Sequence, residues 1–154
     1  MKNKKKLLII ILSIFLILSA GGNIYQWIKV GKYKENLTTS IKQNLYYFSE
    51  NCGNSSIDSS VYTRMVSSIE SARNSYIILN DGDSSIIGGY NDELAKLLTY
   101  LTMLTRDEKK RFEEFISKQE MNELIFDIAR NLEDRDSISK VIDLLNVVLG
   151  KSHF

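Results

Sequence analysis

The chain has 154 residues, enough for one small domain beside a targeting segment. Its first 34 residues hold seven lysines and no acid, so the 20 basic and 19 acidic residues of the whole leave 13 against 19, about −6, on the remainder. Such a body lacks the basic footprint of a nucleic-acid binder, and no DNA or RNA partner is expected.

The opening "KNKKKLLIIILSIFLILSAGGNIYQWIKVGKY" begins as a secretory signal does. Leu7 to Ala20 contains eleven Leu, Ile or Phe residues, each favouring bilayer insertion. Ser19/Gly21 or Ala20/Gly22 would suit signal cleavage. Gly21, Gly22, Ile24 and Ile28 instead extend the run over residues 7–28, roughly 33 Å of helix, which spans a hydrocarbon core. Tyr25 and Trp27 then fall at headgroup depth as membrane-interface residues. A retained signal-anchor is the preferred reading, and the bilayer is the first expected partner. Lys2, Lys4, Lys5 and Lys6 resist translocation, which makes residues 1–6 a short cytoplasmic basic tail and puts residues 29–154 outside the cell membrane. Lys29, Lys32 and Lys34 weaken that bias. Cleavage would make the body secreted. The Lys-, Ile- and Asn-rich composition points to a bacterial source.

Residues 29–154 read as all-α, a small extracytoplasmic bundle of about five helices with no proline to interrupt them. Val30, Tyr33, Leu37, Ile41, Leu45 and Phe48 recur at steps of three and four and predict a helix over 29–50, with Gly31 as a flexing point. "NCGNSSIDSS" is a loop, after which Asp58 or Ser59 caps a helix over 59–79 marked by Tyr62, Met65, Ile69, Ala72, Tyr76 and Leu79. Leu94, Leu97, Leu98, Leu101 and Leu104 give a core-facing row over 91–104. The capping-box patterns Thr105-x-x-Glu108 and Ser117-x-x-Glu120 place helices at 106–117 and 118–133, with charge pairs Glu114/Lys118 and Asp136/Lys140 on solvated faces. The helix at 137–149, polar only along Asp136, Lys140, Asp143 and Asn146, reads as the bundle's central helix, ended by Gly150.

Chemistry-bearing motifs are sparse. The lone Cys52 excludes an intramolecular disulfide and a thiolate cluster; it reads as a loop bystander, with intermolecular pairing as the alternative. His153 is the only histidine, and no zinc signature or Gly-rich phosphate loop is present, so neither cofactor nor metal is expected. "DGDSSIIGGYND" puts Asp81, Asp83, Ser85 and Asp92 at positions 1, 3, 5 and 12 of a calcium-loop pattern. Ile86 stands where that turn needs glycine and Asp92 is shorter than the usual glutamate, so no calcium binding is expected. A hairpin pairing Tyr76–Leu79 with Ser84–Ile87 is its rival. The acid pairs Glu120/Glu123 and Glu123/Asp127 belong to a solvated face unless a cleft shifts their pKa values apart.

The function expected is therefore non-enzymatic: a membrane-anchored helical module that binds a protein partner or relays a state at the cell surface. A carboxylate-based cell-envelope hydrolase and a secreted helical binding protein are the alternatives. The candidate partner-binding row is Tyr33, Leu37, Ile41, Leu45, Tyr46, Tyr47 and Phe48, where tyrosines off the core stripe suit an interface. The partner is another protein or, as a homo-oligomer, a second copy of the chain.

Overall fold

The computed structural model describes residues 2–53, 57–80, 93–107 and 109–150, with side chains described from residue 11. Among these residues there are six helices and no strand: α1 Lys2–Glu50, α2 Ser59–Leu79, α3 Glu93–Thr105, α4 Lys109–Ile116, α5 Met121–Arg130 and α6 Arg135–Val148. The chain divides into two units, Met1–Asn36 and Leu37–Phe154.

The first unit is the leading part of α1, and its apolar residues from Ile11 onward stand exposed, Phe15 and Leu16 by more than two thirds. This helix is long and apolar enough to cross a membrane, a property that a membrane anchor and a signal sequence share.

The second unit has one core. Its α1 segment contributes Ile41, Leu45 and Phe48, all fully buried, at the spacing that keeps one helix face inward. α3 packs on α2 and α6, and α6 packs on α5. The most enclosed element is α3, with nine of its 13 residues buried, because Ala95, Tyr100, Thr102 and Thr105 join its leucine row. α6 packs on α3, α4 and α5, in keeping with a central place, but is less covered than expected and keeps an exposed side. On α6 Asn146 is buried and Val147 is exposed, so the polar stripe read from its sequence is only partly the solvent face. Buried hydroxyls do not stay unpaired: Ser49, Ser68, Thr102 and Thr105 each donate to a carbonyl three or four residues back, at 2.8 Å.

Local chemistry sets several boundaries. Asp58 starts α2, its Oδ1 accepting from the N–H groups of Ser60 and Val61 at 2.7 and 2.8 Å. Gly150, at φ +65°, ends α6 in the left-handed region where a side chain is strained. The Ser117 capping box does not form as read, and Glu108 of the other lies outside the described residues. Thr105 is the last residue of α3 and donates back into it, while the Ser117 hydroxyl donates to the Glu114 carbonyl and α5 starts at Met121. A hydroxyl at a helix end can serve the turn behind it as well as the one ahead, and here the preceding turn takes it. Tyr76–Leu79 lies in α2, so those residues are not a hairpin strand. The ion pairs formed along α4 are Lys109–Glu113 and Arg111–Asp107, not Glu114/Lys118. The calcium-like segment Asp81–Asp92 and His153 lie outside the described residues.

Candidate interaction surface

The proposed row on α1 is sorted by the fold into inside and outside. Ile41, Leu45 and Phe48 are core residues, and a partner would reach them only by unfolding the body. Leu37, Tyr46 and Tyr47 are half-buried, the two tyrosines packing against the core from its edge. Tyr33 belongs to the first unit and is 55% exposed. The candidate surface on the body is thus narrowed to Leu37, Tyr46 and Tyr47.

One residue not singled out from sequence joins them. Phe126 on α5 remains 45% exposed and meets Tyr46 edge to face, with ring centroids 5.2 Å apart. It stands between the inward residues Leu124, Ile125 and Ile128, so its off-stripe position was the available signal. Nearby, the Lys42 Nζ donates to the Arg130 carbonyl at 3.2 Å and ties α1 to the end of α5. Ile78, Met103 and Val147 are also exposed, as scattered apolar residues commonly are.

A concavity of about 680 Å³ lies elsewhere on the body, with Tyr76, Leu94 and Ile138 in its lining and Glu93, Glu133 and Arg135 as its charged groups. The acids considered for hydrolysis are not among its lining residues, and Glu120 and Glu123 are exposed on the outer side of α5. No group of three or more metal-ligating side chains occurs among the described residues.

Cys52 is buried at the end of the turn after α1, and its thiol donates to the Phe48 carbonyl at 3.4 Å. Burial pushes its pKa up to about 12. It is a neutral, enclosed thiol in the folded body, which argues against intermolecular pairing and against a nucleophilic role.

Tyr25 and Trp27, the residues expected at a membrane interface, are exposed on α1 by 68% and 79%. No protein-family model matches the chain, and no curated protein or solved structure shows significant similarity to it.

Proposed function

We propose that the chain is a non-enzymatic helical module, held at the cell membrane by residues 7–28, whose body binds a protein partner outside the cytoplasm through Tyr46, Tyr47 and Phe126. The observation that carries this reading is the aromatic pair Tyr46–Phe126, which joins two helices while leaving Phe126 45% exposed. Rings of this kind bury a large area at low conformational cost, and the tyrosine hydroxyl keeps its hydrogen bond, so such groups often dominate protein–protein affinity. The exposed apolar helix supports the anchor, and the lysines of residues 1–6 support the orientation.

Crosslinking from the body in intact membranes tests the contact. Tyr46→Ala with Phe126→Ala is expected to remove the captured partner while the body's melting temperature falls by only a few degrees. Undiminished capture by a folded double variant counts against this surface. Placement is tested separately with Gln119→Cys, an exposed position between α4 and α5. A membrane-impermeant thiol reagent should label it in intact cells; labelling only after lysis reverses the orientation. Intact-mass analysis distinguishes the anchor from the secreted alternative, in which the mature chain starts near Gly22 or Asn23.

A further inference from the structure

The apolar segment of α1 carries Ser19, Asn23 and Gln26 at steps of four and three, which stacks them on one face of the helix. The same alternation continues through Leu12 and Leu16 on one side and Val30 and Tyr33 on the other. All seven residues then occupy the a and d positions of successive heptads, with Leu16, Asn23 and Val30 at a. Every one is exposed, and all belong to the first unit.

Asn23 is the residue that asks for a partner. It lies five residues before Ile28, where the span ends, about 7 to 8 Å inside the apolar zone and beyond the reach of its short side chain to the headgroups. Among the described residues, neither Asn23 nor Gln26 has a side-chain hydrogen bond. An amide carries donors and an acceptor together, so it is complementary to a second copy of itself. Hydrocarbon offers it nothing else, and hydrogen bonds between helices hold spans together for that reason. Gly22 borders the row, and a Cβ there would meet nothing within 4 Å. No contact among the described residues requires that glycine, whereas a neighbouring backbone could approach closely beside it.

We propose that the occupant of this face is a second copy of the chain, in a parallel two-stranded pair in which Asn23 of each copy bonds the other. Asn and β-branched Val at a positions favour this strand number and fix the register. Lys32 falls on the far side. Lys29 and Lys34 flank the row and repel across a parallel pair, but both lie past the span, where water and counter-ions screen them. The pairing rests on residues 7–28 being retained as an anchor.

The test uses the full chain in membranes, with single cysteines introduced at Ser19, Val30, Leu18 or Ile28 and oxidised to disulfides; buried Cys52 stays silent. Ser19→Cys and Val30→Cys should yield dimers, and Leu18→Cys and Ile28→Cys, on other faces, should not. Adding Asn23→Leu and Gln26→Leu to Val30→Cys should weaken dimerisation about tenfold, while the more apolar span keeps the chain in the membrane. An intact, membrane-retained chain that crosslinks evenly around the helix, or not at all, overturns the pairing alone. A chain processed near Gly22 overturns the anchor and the pairing with it.

Discussion

Asp58 and Asp134 perform the same task at two helix starts, and their carboxyls respond alike. The Val61 N–H, with help from Ser60, holds Asp58 below the ordinary aspartate value, and the Ser137 N–H and hydroxyl do so for Asp134. A lowered folded-state pKa means that the charged cap contributes fully above the ordinary value of 3.8 and is lost as pH falls through the folded value. The body should therefore lose stability on acidification below about pH 4, and Asp58→Asn with Asp134→Asn, which keep a capping oxygen, should flatten that limb in thermal melts recorded against pH. Deeper inside, Phe112 is fully buried between Phe48 and Tyr62, both edge to face, at 6.1 and 5.1 Å. Phe112→Ala should cost about 3–5 kcal/mol in denaturant unfolding, much of the stability of a domain this size. Cys52 gives a kinetic readout of the same core. Because the thiol is buried and protonated, its alkylation near neutral pH should follow the opening of the body and accelerate on adding denaturant.

Among the elements, α1 combines two kinds of surface in one helix. Its apolar run is exposed from Ile11 to Ile28, whereas from Ile41 to Phe48 it supplies a face of the body's core. The body's α1 segment is consequently structural, quite apart from any partner. A chain beginning at Ser59 would lose five core residues, Ile41, Leu45, Phe48, Cys52 and Ile57, and should show reduced helical circular dichroism with no cooperative melt. Lys42 and Ser40 add polar ties to Arg130 and Ser75, but they lie at the rim and their loss should matter far less.

At the scale of the whole molecule, the division after Asn36 predicts two separable behaviours. Residues 37–154 should remain soluble without the first unit and unfold in a single transition, since their core is drawn only from themselves. Restoring residues 1–36 should move the chain to the membrane fraction and leave that transition nearly unchanged. Strong dependence of the melt on the first 36 residues would show instead that the two units stabilise one another.

Helix identity and approximate span were legible because apolar residues repeat at three and four and no proline breaks the pattern, a signal local to each segment. Asp58 and Gly150 were legible for the same reason, as each acts on its own turn. The apolar character of residues 7–28 is likewise a property of the chain itself. Other features depended on which neighbour arrived. Thr105 and Ser117 turn back into the preceding helix, Asn146 enters the core while Val147 stays out, and Cys52 is enclosed although its surrounding segment reads as an open loop. The candidate surface shows the division most clearly. Periodicity placed Ile41, Leu45 and Phe48 on one face of a helix, but a face has no inside until other helices pack on it. Tertiary packing closed that face, left Tyr46 and Tyr47 at its edge, and brought Phe126 from some eighty residues away to meet one of them.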